Sequence, residues 1–353
     1  MNQTALYESL ARKLDQGVII GAPLTSTLIE ILEILFPPEE AEIALKLPNQ
    51  NKPLSELKAL YPDRADGLGE ILDRMARRGT VYSAQKPGQE KVYRLLPSVV
   101  GWSETPYWAG RDTPEARNLA PLWIKYRDEA FGAELARGLP ALRVIPIAQA
   151  LKDESQILPF DALIPMVEAA SYRAVGHCPC RQMQKYVGQG CQHTLENCLH
   201  FGGMGRYMVE QGLARAISLE ETLKILAEAH QEGLVHCSEN IEGALSTICN
   251  CCGCCCMFLI TRKKLGLTAV SSSNYLARVE AEACQGCGTC EERCPVAAIA
   301  VNDDGVAEVK ENVCLGCGVC TPTCPAEAVA LVLRPEILRP PDVSQFLTAR
   351  YKA

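Results

Sequence analysis

Two stretches near the C-terminus, CQGCGTCEERCP from Cys284 and CLGCGVCTPTCP from Cys314, repeat one cysteine pattern thirty residues apart. No other feature limits the fold as strongly, because C-x2-C-x2-C-x3-C-P is a ligand pattern and it occurs as an internal repeat. Three thiolates two residues apart wrap one face of a [4Fe-4S] cube, while the fourth cysteine, ahead of proline, turns to the other cube. One cluster is therefore expected on Cys284, Cys287, Cys290 and Cys324, and a second on Cys314, Cys317, Cys320 and Cys294. Gly286, Gly288, Gly316 and Gly318 keep the loops open, so that backbone N–H groups can turn toward the sulfurs. Between the repeats, AIAVNDDGVAEVK reads as a hairpin around Asp304-Gly305. A pair of zinc knuckles has no reason to place a proline after each fourth cysteine.

Over about 50 residues this stretch closely resembles the bacterial two-cluster ferredoxins. The resemblance implies two low-potential one-electron carriers.

The remaining cysteines are confined too. All 19 lie between Cys178 and Cys324, and the five histidines lie between His177 and His236, so metal chemistry belongs to the second half of the 353 residues. A chain this long does not need disulfide staples. MNQTALYESLARKLDQG has no basic start, apolar core or cleavage site of an export signal. GVIIGAPLTSTLIEILEILF is broken by Pro23, Glu30 and Glu33 and is not a bilayer span. The expectation is a cytoplasmic protein with reduced, metal-binding thiols and no direct membrane insertion. The formal charge of −7 is uneven: Val279 to Leu333 holds nine acidic and two basic residues. That end is expected to dock on a positively charged redox partner and argues against nucleic acid.

The middle region carries eleven cysteines. GHCPCRQMQKYVGQGCQHTLENC supplies Cys178, Cys180, Cys191 and Cys198, which could close one site, and Cys237 follows. ICNCCGCCCMF then adds Cys249, Cys251, Cys252, Cys254, Cys255 and Cys256. Side chains of neighbouring residues diverge, so the run must be divided between sites, as one or two further clusters. One partition groups Cys249, Cys252 and Cys255 at ferredoxin spacing and sends Cys251, Cys254 and Cys256 toward the upstream quartet. The alternatives are a larger non-cubane cluster recruiting His177 or His236, and one structural zinc site with spare thiols. Cys251-Cys252-Gly253 also matches the CCG of heterodisulfide reductases, whose long spacers are not reproduced. That letter match leaves a disulfide-reducing site as a further alternative.

Elsewhere the patterns are structural. SLEETLKILAEAHQEG reads as a helix with a Ser218/Glu221 capping box and a stop at Gly233. FGGMGRY lacks the full dinucleotide fingerprint, and no stretch offers a phosphate loop or serine nucleophile, so no NAD site and no hydrolase is expected. TSTLIEILEILFPPEEAEIALKLP gives two helices around Pro37-Pro38, the first with a Thr27/Glu30 capping box. SELKALYPDRADGLGEILDRMARRG reads as helix, turn and helix, and VYSAQKPGQEKVYRLLP as a hairpin around Pro87-Gly88. Over residues 20 to 100 this order resembles the winged-helix domain. Asp66, Glu70 and Asp73 beside Arg74, Arg77 and Arg78 make its second helix a poor phosphate-binding face, which favours scaffold or docking over DNA. A helix over Pro114 to Arg137, a strand in ALRVIPIAQAL, and a helix feeding a strand in FDALIPMVEAASYRAVGHC fill the link. Trp102, Tyr107, Trp108, Trp123 and Tyr126 are expected in its core, with a subunit interface as the alternative.

Taken together, the chain is similar to the large ferredoxin-type iron-sulfur proteins of anaerobes, through its winged-helix-like start, CPCR, CNCCGCCC and ferredoxin end. The expected fold is multidomain α+β: residues 1–100 winged-helix-like, 101–176 a link rich in aromatics, 177–278 a cysteine-rich α+β domain, 279–335 a βαββαβ-like ferredoxin domain, and 336–353 a tail. The expected function is electron transfer between a flavoprotein or dehydrogenase and a redox enzyme, catalysis being the partner's. A redox-sensing DNA-binding regulator and an enzyme with a special middle cluster are the alternatives.

Overall fold

Apolar residues at helical spacing build the N-terminal third. The computed structural model describes residues 2–16, 18–151 and 157–351. Helix α1 (Gln3–Leu14) is followed by α2 (Ser26–Leu35) and α3 (Pro38–Lys46). Leu28, Ile31, Leu32 and Leu35 form the buried stripe of α2. Its cap is Thr25, whose hydroxyl accepts from Leu28 N at 3.0 Å. Thr27, expected to cap, is the second residue of the helix and is buried. Strand β1 (Lys52–Pro53), α4 (Leu54–Leu60), α5 (Leu68–Arg78), β2 (Val81–Ala84) and β3 (Val92–Leu95) follow. The hairpin pairs Val81 with Leu95, and β1 adds to the other edge of β3.

The stretch expected as a link is integral to the middle unit. It supplies α6 (Thr105–Trp108), α7 (Pro114–Tyr126), α8 (Gly132–Leu135), β4 (Leu142–Val144), α9 (Leu163–Ala169) and β5 (Arg173–His177). The single helix expected from Pro114 to Arg137 forms from Pro114 to Leu135, with one wider turn over Arg127–Phe131. Then come α10 (Pro179–Tyr186), β6 (Glu196–Phe201), α11 (Gly202–Glu210), β7 (Arg215–Ala216), α12 (Leu219–Gln231), β8 (Val235–Glu239), β9 (Thr247–Cys251), α13 (Met257–Leu265) and β10 (Val270–Ser271). The strands form one mixed sheet in the order β10-β4-β8-β9-β6-β5-β7. Strand β4 pairs antiparallel with β8 because Leu142, Arg143 and Val144 are all buried and need partners for their backbone. The five aromatics of this stretch are buried, with Trp102 and Trp123 ring centroids 5.6 Å apart, so they are interior and not an exposed interface.

The C-terminal unit contains β11 (Tyr275–Val279), α14 (Thr289–Arg293), β12 (Ile299–Val301), β13 (Ala307–Val309) and β14 (Val329–Leu333). Strands β11 and β14 pair antiparallel, as do β12 and β13 around Gly305. The first repeat forms the expected helix, α14, but the second only turns over Val319–Thr323, where Pro322 removes a backbone donor. The expected tail folds back as α15 (Val343–Tyr351). Its buried Arg350 donates to Glu134 O at 2.7 Å, Arg137 O at 2.7 Å and Leu139 O at 3.0 Å, satisfying carbonyls at and beyond the end of α8.

Candidate metal centres

Each C-terminal quartet gathers around its own cavity. Cys284, Cys287, Cys290 and Cys324 line one, of about 10 Å³, and Cys294, Cys314, Cys317 and Cys320 line the other, of about 20 Å³. The fourth cysteine of each repeat therefore sits with the first three of the other. Backbone amides aim at four of these sulfurs: Ala307 N at Cys284 (3.4 Å), Ala298 N at Cys294 (3.2 Å), Gly316 N at Cys314 (3.4 Å) and Ala328 N at Cys324 (3.3 Å). Gly286 and Gly316 have φ of +62° and +65°, and a Cβ would come within 2.3 Å of Gly305 O in the first and 2.1 Å of Tyr275 O in the second. Thiolate ligands, amide donors and close backbone turns together fit iron-sulfur clusters.

Residues 283–328 match the 4Fe-4S dicluster domain. The C-terminal unit is a 4Fe-4S dicluster domain. Over 32 residues, 9% of this chain, it is 53% identical to a protein described as a probable ferredoxin from Methanosarcina thermophila. That match spans 55% of the relative's length. No solved structure matches the chain.

The two loops of the dicluster domain differ in surroundings. In the first, Cys287 is exposed, and the hydrogen bond from Thr289 draws its thiol below the usual range. In the second, Cys314, Cys317 and Cys320 are all buried, and burial pushes Cys317 far up and Cys320 to about 12. Such shifts are a reason to hold these sulfurs as metal thiolates rather than free anions. The cover over the second loop is the middle unit: Ile147 N donates to Cys317 O at 3.3 Å, and a Cβ on Gly318 would come within 2.6 Å of Ala150 Cβ.

The cysteine run is divided, but along another line than the spacing predicts. Residues 247–251 are strand β9, whose period of two puts Cys249 and Cys251 on one face. Pairing of Cys237 with Cys249 and of Leu199 with Ile248 brings Cys237 and Cys198 to that face. Cys178 at the start of α10, Cys180 in its first turn, and Cys256 at the start of α13 close over it. Cys178, Cys180, Cys198, Cys249, Cys251, Cys252 and Cys256 line a common chamber of about 30 Å³, and Cys237 borders it through contact with Cys251. After β9 the chain turns, and Cys254 and Cys255 swing away to meet Cys191, together with Cys252, which stands between this group and the chamber wall. The expected grouping of Cys249 with Cys252 and Cys255 fails because it treats a strand as a loop. Cys191 leaves the upstream quartet because it follows a glycine turn after α10, whereas Cys198 sits within β6. Gly253 inside the run abuts the dicluster domain, and a Cβ there would come within 2.2 Å of Pro295 O.

Three polar residues at these centres were not singled out as functional by sequence reasoning. Arg181 is fully buried, donating to Asn250 O at 3.0 Å and to the Asn197 side chain. Burial works against its charge, but Cys178 and Cys252 on either side hold the guanidinium firmly protonated. Asn250 in turn donates to Asn197 O at 2.7 Å and meets His236 Nδ1 at 2.6 Å. Glu104 lines the chamber, and burial followed by the nearby Cys249 pushes its carboxyl well up. Neither His177 nor His236, the candidate extra ligands, lines the chamber. His236 alternates with Cys237 along β8 and so points to the other face, where burial lowers it to about 4. The CPCR motif carried a signal for Arg181; Glu104, 74 residues before Cys178, carried none.

Proposed function

We propose that the protein is an iron-sulfur electron carrier serving a partner oxidoreductase, with clusters on Cys284, Cys287, Cys290 and Cys324, on Cys314, Cys317, Cys320 and Cys294, and a further one in the thiol chamber. A [4Fe-4S] cluster, when bound, exchanges one electron at a time. The carrying observation is the asymmetry of the dicluster domain. Its first loop is open at Cys287, and the loop and the hairpin after it carry exposed Glu282, Glu291, Glu292, Asp303, Asp304 and Glu308. Its second loop is sealed against the middle unit, where Pro295, next to Cys294, touches Gly253. One end faces a partner, and the other faces the inner thiols. The acidic rim suits a basic face on a flavoprotein, dehydrogenase or reductase. All 19 cysteines are free thiols, which fits a reducing cytoplasmic setting, and no helix among the described residues is long and apolar enough to cross a membrane.

The winged-helix-like N-terminal unit serves docking in this reading. On α5, Arg74 pairs with Glu39 at 2.6 Å and Glu40 at 3.2 Å, and Arg78 with Glu40 at 3.2 Å and Glu115 at 3.5 Å. Cations already matched inside the protein contribute little to phosphate binding. Salt-sensitive shifting of promoter-region DNA would instead support the regulator.

Iron and acid-labile sulfide on anaerobically purified protein, with EPR after dithionite, test the carrier. About twelve iron atoms fit three cubes, and about eight would leave the chamber without a cluster. A second reading rests on the chamber: the seven thiols that line it exceed the four a cube binds, and Glu104 adds a carboxyl whose hold on its proton burial strengthens. Cluster spectra that change on adding thiols or disulfides would make this an enzyme site; unchanged spectra would leave it a carrier.

A further inference from the structure

Cys191, Cys252, Cys254 and Cys255 do not have the dimensions of the other sulfur sites. Their four Sγ atoms lie within 4.8 Å of one another, and among the described residues no other group of potential metal ligands is gathered so tightly. Cys255 Sγ is 3.6 Å from Cys191 Sγ and 3.7 Å from Cys254 Sγ, and Cys191 Sγ is 4.0 Å from Cys252 Sγ. In a cube each thiolate binds a different iron corner, so the body of the cluster holds the four sulfurs apart. Around a single ion at Zn–S distances of ~2.3 Å, the edge of the sulfur tetrahedron is ~3.8 Å. The observed separations are those of the single ion.

The dicluster domain is the internal control. Its two quartets, drawn from the same kind of residue, leave cavities between their sulfurs and do not collapse to this spacing.

The surroundings hold these sulfurs in place. The loop after Cys191 is fastened by Glu232 at the end of α12, which accepts from Thr194 N at 2.9 Å and meets His193 Nδ1 at 3.2 Å. Ala229 and Leu234 pack on Cys191, Cys252 and Cys255 as a small apolar cluster separate from the main core, a dry shell of the kind that steadies metal thiolates. Arg181 sets its positive charge against Cys252, where four thiolates on a divalent ion leave net negative charge.

We propose that Cys191, Cys252, Cys254 and Cys255 bind one mononuclear tetrahedral metal ion, zinc, as a structural centre distinct from every iron-sulfur cluster of the chain. Cys252 and Cys254 flank Gly253, so the ion fixes the segment that both bounds the thiol chamber and contacts Pro295 of the dicluster domain. All four ligand positions are filled by protein, which marks the site as structural rather than catalytic.

The test is zinc, iron and acid-labile sulfide per chain in the full-length protein and in Cys191→Ser and Cys254→Ser, together with cobalt exchange into the intact protein. About one zinc per chain is expected, lost in both variants while iron and sulfide stay at the parent level. Cobalt should give thiolate-to-metal absorption and tetrahedral d–d bands, both absent from Cys254→Ser. This variant sits at an exposed position, and so reads the site even where Cys191→Ser fails to fold. Loss of a single iron without sulfide would support the mononuclear centre and assign iron to it. Loss of about four iron atoms with their sulfide would show a cube there and overturn the proposal, as would a protein without zinc whose iron content neither variant changes.

Discussion

The two loops of the dicluster domain have one cysteine pattern and opposite environments. The first ends at solvent with Cys287 exposed, and the second is pressed against Ile147 and Ala150 with its three leading cysteines buried. A repeat in sequence therefore fixes ligand geometry but not the medium around the ligands, and reduction potential follows the medium. The largest effect that follows concerns the cysteines themselves. Cys317→Ser should remove the second cluster and lower the melting temperature of the whole protein, since metal-binding free energy at a buried docking face is folding free energy. Cys287→Ser should alter the first cluster and leave the melt of the other units in place. Iron content and thermal unfolding followed by circular dichroism check both; equal losses of stability would make the asymmetry energetically empty.

Next in size is Gly318→Ala. Gly318 has φ of +81°, and its Cβ would lie 2.6 Å from Ala150 Cβ and 3.1 Å from Leu331 Cδ1. Left-handed backbone and overpacking together should cost about 3 kcal/mol, read as a lower denaturation midpoint in urea. Arg293→Ala comes third. Its guanidinium spans the dicluster domain and the end of α12, donating to Val319 O at 2.7 Å and to His230 O and Gln231 O at 2.8 Å. The side chain is half-buried, so the loss should be about 2 kcal/mol, with faster hydrogen exchange at the end of α12. Exchange unchanged there would mean that the first loop is not tied to the middle unit through this residue.

How much of this could be read from the sequence depended on what the cysteines sit on. In the dicluster domain all but Cys290 sit outside helices and strands, where a spacing of two residues translates directly into position, and the four cysteines that share each cavity could be written down with no structure. In ICNCCGCCC the same reading failed at Cys249, because TICNC is a strand and alternation decides which thiols share a face. Strand pairing then recruits Cys237 and Cys198 from positions 12 and 51 residues before Cys249, respectively, which no local pattern carries. The division of Cys251 from Cys252 was legible, since neighbouring side chains diverge. Helices with clear apolar spacing, such as α2 and α12, formed as expected. The capping threonine of α2 lies two residues before the expected one, because only Thr27 has a glutamate three residues on, whereas the cap that forms, Thr25, has Leu28 there and works without a capping box. Residues 101–176 read as a link although both strands are legible, because nothing in the sequence shows that β4 pairs with β8 and β10 or that β5 pairs with β6.

The smallest effect gives the sharpest control. Gly288 stands in the first repeat where Gly318 stands in the second, with φ of +76° against +81°, but a Cβ on Gly288 would meet nothing within 4 Å. Gly288→Ala therefore carries the left-handed backbone penalty alone, about 1 kcal/mol, and should keep the full iron content. The difference between the two alanine variants then isolates the contact of the second loop with Ala150 from the backbone term that both share. Urea unfolding of the pair, run under the same anaerobic conditions, should place Gly318→Ala about 2 kcal/mol below Gly288→Ala. Equal midpoints would mean that the second loop yields to the added methyl without loss, and that its burial against the middle unit contributes little to holding the two units together.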